Sequence, residues 1–470
     1  MQSALAGRAR LPLWFCLIAA AFTLAQLSQV TARASPDTTQ YVSYSLMLSG
    51  DSREQAAAET MRFFCASREA QAAEAARLDV REFDVPQHNG RAYAHCLAQQ
   101  EATVRAVERR GGVSGYMSLF SIPRMSAIYV GRPGYAVFLM PYLAVFGIAW
   151  GLWAAAVTVT VAAAALVVAL LRTLGATVPV ALAGEVLYFL TPIGGQAMRP
   201  LSEGLMLVGV AAVALGCVRV LHDGARSLRW VWCAVAGFAL TAVTKYSQAL
   251  LLAGCLLAAL LALLLRRRLR REPIPRAVPV LILLGAAVVV GVQFTVQALH
   301  LPSGRESMQD LLTSHFTVAD VASPWHGLLL LDRNFWIDWM RRQFTDPLTT
   351  VLLLAGVWGV WRGGRVVATV VFTVAAAGLL NQAGHPLVGE GLRLMVLTWF
   401  LPVIGLPLLW MDRKKRESGA DHLMSRQRAA PHPGEAPQPA GLAVGGSNAT
   451  RCQCRVEDFP AWTKTRPRPT

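Results

Sequence analysis

Residues 228–271 read LRWVWCAVAGFALTAVTKYSQALLLAGCLLAALLALLLRRRLRR. Two apolar runs, 230–244 and 247–265, meet at Lys245 and Tyr246, and the second ends in the basic cluster 266–271. Such runs approach the ~20 residues that cross ~30 Å of hydrocarbon. Arginines crowded at one end mark that end as cytoplasmic, because basic residues near span ends set orientation. Comparable runs lie at 11–32, 151–171, 176–193, 201–221, 277–299, 347–361, 366–382 and 393–411. With 54% apolar and 15% charged residues, the composition is too apolar for a soluble chain of this length. The expected fold is therefore an all-α polytopic membrane protein with about ten transmembrane helices.

Threading the runs alternately, N-terminus inside, places Arg8, Arg10, Arg172, Arg219, Arg226, Arg229, residues 266–271, Arg276, Arg362, Arg365 and the tail on one side. That side carries 25 Lys/Arg against 8 Asp/Glu, while the other holds 19 of each. The net charge of +16 thus reports membrane orientation, and nothing calls for a nucleic-acid partner. Both termini are expected in the cytoplasm. The predominance of Arg over Lys and the abundance of Ala suggest a GC-rich bacterial genome, and so a bacterial plasma membrane. The first run has the look of a signal peptide, but its length favours a retained signal anchor over residues 1–32.

Residues 33–150 form the expected extracytoplasmic segment, with helical stretches near 53–76 and 92–110 separated by turn residues 84–90. The run 136–150, broken by Pro141 and ended by Gly147, is too short for a span and reads as an interfacial helix. Residues 151–411 are the expected bundle, with a second outside loop at 300–346. That loop carries Asp310, Asp320, Asp332 and Asp338 with Trp325, Phe335, Trp336 and Trp339, a mixture suited to the headgroup level. The basic tail 412–470 is Pro- and Gly-rich and predicted to be disordered.

Cys65 and Cys96 are the two cysteines of the large outside loop and are expected to bridge there. Closing about 30 residues would contribute ~3 kcal/mol. Cys16, Cys217, Cys233 and Cys255 fall in apolar runs, where a thiol behaves as a small apolar group. Cys452 and Cys454 lack the partners of a zinc site, and the sequon at Asn448 lies in the inside tail. No metal site, P-loop, HExxH or dinucleotide motif stands in a credible context, and no cofactor is implied; a divalent ion would need ligands from separate loops.

Charged residues recur at the outer span ends: Asp37 and Asp51, Arg132 beside Tyr135, Arg199 and Glu203, Lys245, then His385, Glu390 and Arg393. Ionisable groups at such depth line polar cavities or sit among headgroups. The order Asp37-Thr38-Thr39-Gln40-Tyr41…Leu46…Gly50, Arg132-Pro133-Gly134-Tyr135…Pro141…Phe146-Gly147, Ser202-Glu203 and His385…Glu390…Arg393 resembles the GT-C superfamily of integral-membrane glycosyltransferases. These include protein O-mannosyltransferases and lipid A aminoarabinose transferases. The resemblance covers roughly 11–411, although Asp37-Thr38 stands where the family usually has Asp-Glu. It implies a large first outside loop with juxtamembrane helices and a polyprenyl-phosphate-linked sugar donor. It also implies inverting transfer to an extracytoplasmic acceptor.

By that resemblance Asp37, with Asp51 second, is the catalytic carboxylate, the base that withdraws the acceptor's proton as sugar C1 is attacked. Arg132, Arg199, Lys245 and Arg393 are the cations for the leaving phosphate, and Tyr135, Glu203, His385 and Glu390 complete the substrate-binding set. Each has a plainer role available: capping after Pro36 for Asp37, the helix dipole for Glu203, an i,i+3 pair with Glu390 for Arg393. The rival functions are a transporter or flippase for lipid-linked or small substrates, and a non-catalytic membrane assembly protein.

Overall fold

The computed structural model describes residues 2–31, 33–81, 90–109, 123–223, 228–316 and 318–411. The expected turn at 84–90 lies almost wholly, and the tail with Cys452, Cys454 and Asn448 entirely, outside these residues. The described chain is helical throughout: α1 Gln2–Ala25, α2 Pro36–Leu48, α3 Arg53–Leu78, α4 Arg91–Arg109, α5 Pro123–Val130, α6 Pro133–Thr173, α7 Val178–Leu190 and α8 Pro192–Ala197. There follow α9 Ser202–Asp223, α10 Leu228–Leu269, α11 Ala277–Ala298, α12 Gly304–Leu312, α13 Pro324–Thr345, α14 Leu348–Arg362, α15 Arg365–Ala383, α16 Gly391–Leu394 and α17 Phe400–Leu409.

Two of the longest helices are interrupted, and the interruptions matter. A straight 42-residue α10 would measure about 63 Å, twice the hydrocarbon thickness. It breaks at Lys245, whose φ of −158° and ψ of 80° are extended. Its first arm packs antiparallel on α9. A Cβ on Gly209 would strike Thr241, one on Gly216 would strike Ala234, and one on Gly237 would strike Val213. As numbers rise along α9 they fall along the arm, and that register carries Lys245 to the start of α9, beside Glu203. The second arm packs on α11, where Gly285 faces Ala253 and Leu257.

Helix α6 breaks at Gly147, with φ of 69°, a conformation L side chains rarely adopt. A Cβ on Gly151 would lie 2.6 Å from the Tyr142 carbonyl oxygen, a contact that a straight helix cannot make. The bend separates the 133–146 arm from the 148–173 arm, and Pro141 is accommodated within the first.

The long helices and the ten apolar runs do not match one to one, since α10 alone holds the runs 230–244 and 247–265. Among the described residues six helices are long and apolar enough to cross a membrane, or seven if α13 and α14, bent by 97°, form one broken span. The run 176–193 is cut by Thr191-Pro192 into α7 and α8. The run 393–411 is divided into α16, a 3-10 turn and α17. Hydropathy registers neither kind of break. α14 and α17 cross where a Cβ on Gly356, Gly359 or Gly405 would collide with the opposite backbone, a close approach that only small residues permit. Leu283, Val290 and Phe294 on α11 are 69%, 68% and 70% exposed, as suits a lipid-facing surface.

An apolar cluster joins α2, α3 and α5 to α6 and α9. It contains Tyr41 and Val42 of α2, Phe63 of α3, Met125 and Tyr129 of α5, Tyr135 and Leu139 of α6, and Leu205 of α9. A disulfide links Cys65 of α3 to Cys96 of α4.

Candidate functional site

Helix α2 starts at Pro36 after Ser35. Thr38 Oγ1 accepts the Ser35 backbone N–H at 3.0 Å and lies 3.2 Å from Ser35 Oγ. Capping therefore falls to Ser35 and Thr38, and the Asp37 carboxylate serves other partners. Tyr129 donates to Asp37 Oδ1 at 2.8 Å, and Arg393 Nη2 lies 2.6 Å from Asp37 Oδ2. Arg393 also donates through Nε to Glu203 Oε1 at 2.8 Å and reaches Glu390 at 3.6 Å. Lys245 Nζ donates to the same Glu203 oxygen at 3.1 Å. Ser202 Oγ, which accepts from Tyr41 at 3.0 Å, stands 3.5 Å from Glu203 Oε2.

The network is buried. Glu203 is 1% and Lys245 9% exposed. In such surroundings an ion pair persists only when the partners are numerous and well placed. Arg393 supplies that by bridging three carboxylates from three segments. Burial pushes the Asp37 carboxyl up, but the Arg393 charge and the Tyr129 hydrogen bond outweigh it and leave it below the ordinary carboxylate value. Asp37 is thus an ionised, doubly engaged carboxylate. Burial first and the Glu203 charge second push the Tyr41 hydroxyl up to about 12, against the opposing Arg132 charge and the Ser202 hydrogen bond.

Arg132 lies against this network without joining it. Gly134 sits so near the Val243 backbone that a Cβ would fall 2.8 Å from its carbonyl carbon, and this close fit sets Arg132 beside the α10 break. The guanidinium stacks over the Tyr246 ring at 5.2 Å. Among the described residues it has no carboxylate within ion-pair distance, and its buried Nε has no hydrogen-bond partner. Tyr135 is 1% exposed, edge-on to Tyr41, with an unbonded hydroxyl.

His385 is partly buried. Burial lowers its pKa to about 4, Asp310 and Asp37 raise it, and Lys245 and Arg393 lower it further, so the ring is neutral.

Two of the expected residues stand apart. Asp51 follows the far end of α2, about 20 Å along the chain from Asp37 at 1.5 Å per helical residue. Arg199 bonds Gln196 at 3.3 Å and neighbours Arg33 instead of the network. Conversely, Tyr129, Ser202 and Tyr246 belong to the site although none was among the expected site residues; Ser202 and Tyr246 stand next to Glu203 and Lys245, while nothing in its context marks Tyr129. Among the described residues no group of three or more His, Cys, Asp or Glu is placed to hold a metal ion.

A cavity of about 280 Å³ lies on the α13–α14 corner between Phe335, Trp339, Asp346 and Trp399. No family model matches this chain, and comparison with curated proteins and with solved structures returns no match either, so residue geometry carries the functional argument.

Proposed function

We propose that the chain is a GT-C-type membrane glycosyltransferase that moves a sugar from a polyprenyl-phosphate donor to an extracytoplasmic acceptor, with inversion. The reading includes a ten-crossing topology in a bacterial plasma membrane, with both termini cytoplasmic and the site outside. One observation carries it. Asp37, Glu203, Lys245, Glu390 and Arg393, from segments far apart in the chain, meet in one ionic network with Arg132 and Tyr135 at its edge. These include residues from each stretch that carries the family resemblance.

The chemistry fits that arrangement. The departing lipid phosphate gains negative charge, which preorganised cations in a water-poor site stabilise most effectively. Arg132, with a buried unbonded Nε, and the adjacent Lys245 are the seat for that phosphate. Asp37, fixed by Tyr129 and Arg393, orients the attacking group of the acceptor. A second reading, a non-catalytic assembly protein, draws on the carboxylates of the network all being matched to cations already.

The full chain in nanodiscs, incubated with radiolabelled polyprenyl-phosphate sugars and a membrane extract, separates these readings. Transfer of label that Arg132→Ala or Lys245→Ala reduces at least tenfold, through weaker donor binding, is the expected result. Folded protein that transfers no label from any donor would leave only the assembly role. For topology, a reporter fused after Arg110 should read periplasmic and one after Arg416 cytoplasmic.

A further inference from the structure

The turn after α12 is strained. Ser314, His315 and Phe316 have φ of 49°, 64° and 60°. L residues in that region are strained and normally occur singly. Three in succession persist only where neighbouring contacts hold them, and strain of this kind gathers at functional sites.

The holding contacts are explicit. Thr313 Oγ1 donates to the Gln309 carbonyl at 2.6 Å and accepts the Phe316 N–H at 3.0 Å. The buried Gln309 amide accepts from the Val321 N–H at 3.0 Å and donates to the Val321 carbonyl at 2.8 Å, which closes the loop. From the first outside segment, Arg124 pairs with Glu306 and Asp320, each at 2.7 Å, and stacks over the Phe316 ring at 4.2 Å. Phe316 packs on the apolar cluster that contains Tyr41, Tyr129 and Tyr135, the wall of the site.

What the turn presents is His315. Its Nδ1 lies 3.0 Å from Asp310 Oδ1, and its side chain is 60% exposed while that of Asp310 is 13% exposed. An Nδ1–H held by a carboxylate leaves Nε2 as a free acceptor, the arrangement a general base needs.

We propose that His315, oriented by Asp310, is the proton acceptor of this site, and that Asp37 positions the acceptor instead of deprotonating it. The proposal rests on the glycosyl-transfer reading. The acceptor hydroxyl oxygen bonds to sugar C1 as the C1–O bond to phosphate breaks. The electron pair leaves on the phosphate oxygen toward Arg132 and Lys245, the hydroxyl proton passes to His315 Nε2, and the imidazolium later releases it to water.

The charged surroundings support the division of labour. The Asp310 hydrogen bond raises the His315 pKa, burial opposes it, and the charges of Asp310 and Asp37 add to the rise. Asp37 is held below the ordinary carboxylate value. The other groups nearby are accounted for: Arg124 is neutralised by Glu306 and Asp320, and His385, which also feels Asp310, is neutral.

The test uses the full chain in nanodiscs, comparing wild type, His315→Gln and Asp310→Asn. Sugar transfer is followed from pH 5 to 9, and binding of undecaprenyl phosphate is titrated separately. The expected result is that His315→Gln binds undecaprenyl phosphate within about twofold of wild type. It should lose roughly 10²–10⁴ of the transfer rate together with the acid limb of the profile. Asp310→Asn should shift that limb to lower pH. An unchanged rate and profile in His315→Gln, with active wild type, overturns the assignment and leaves the transferase reading standing. Wild type that neither binds undecaprenyl phosphate nor transfers sugar overturns both.

Discussion

Glu203 and Glu185 are both buried carboxyls, at 1% and 0% exposure, in surroundings of opposite kind. Glu203, at the start of α9, has Lys245 and Arg393 on one oxygen and Ser202 near the other. Glu185, in apolar α7, has no hydrogen-bond partner for either oxygen among the described residues, and neither has the hydroxyl of Tyr188 one turn on. The chain thus invests partners in one buried carboxyl and leaves another bare. Burial of an acid alone does not mark a site, whereas a buried acid that gathers cations from distant segments does.

Four changes would break or sharpen this contrast. Glu203→Leu strands Lys245 and part of the Arg393 charge in the interior, and should lower stability by about 3–5 kcal/mol in detergent-solubilised unfolding. An unchanged midpoint would mean the network contributes nothing. Replacing Cys65 and Cys96 by Ser should cost about 3 kcal/mol, read as early protease cleavage within α3 and α4 while the bundle stays intact. Glu185→Leu should go the other way, raising stability by about 1–3 kcal/mol, since it removes an unsatisfied buried polar group. A loss there would reveal a partner for Glu185.

The last effect is the pH response of His385. Its folded pKa of about 4 lies below the ordinary 6.5. Its stabilising contribution is therefore complete above about pH 6.5 and declines as pH falls toward 4. His385→Asn should flatten the stability profile in that window, and an unaltered slope would place the acid sensitivity elsewhere.

Much of the bundle is legible in the sequence for a physical reason: apolar length is a local property of the chain. The break at Lys245 shows as a lone cation between two apolar runs. The helices α3 and α4 follow from Ala, Glu, Gln and Arg content, and Ser52 starts α3 with a capping box shared with Gln55. Asp37, Glu203 and Arg393 are visible singly. Their union is not, because Arg393 joins them across helices whose relative placement depends on glycine contacts such as Gly209 with Thr241. The 97° bend between α13 and α14 and the cut at Thr191-Pro192 are likewise invisible to hydropathy, and two of the runs share the single helix α10. Asp37 and Asp51 look equivalent until α2 carries them apart. Tyr129 and His315 had no signal at all, since one is an aromatic in an ordinary apolar stretch and the other owes its position to three left-handed residues.

By the proposed reading, the ionic network with Arg132 at its edge seats a lipid-linked phosphate. A photoreactive polyprenyl phosphate, cross-linked to the full chain in nanodiscs and mapped by mass spectrometry, tests it most directly. The account predicts label on the segments around Arg132 and Lys245, displaced by excess unlabelled polyprenyl phosphate and reduced at least tenfold by Arg132→Ala. Label confined to the lipid-facing side of α11, insensitive to competitor and to Arg132→Ala, would contradict it.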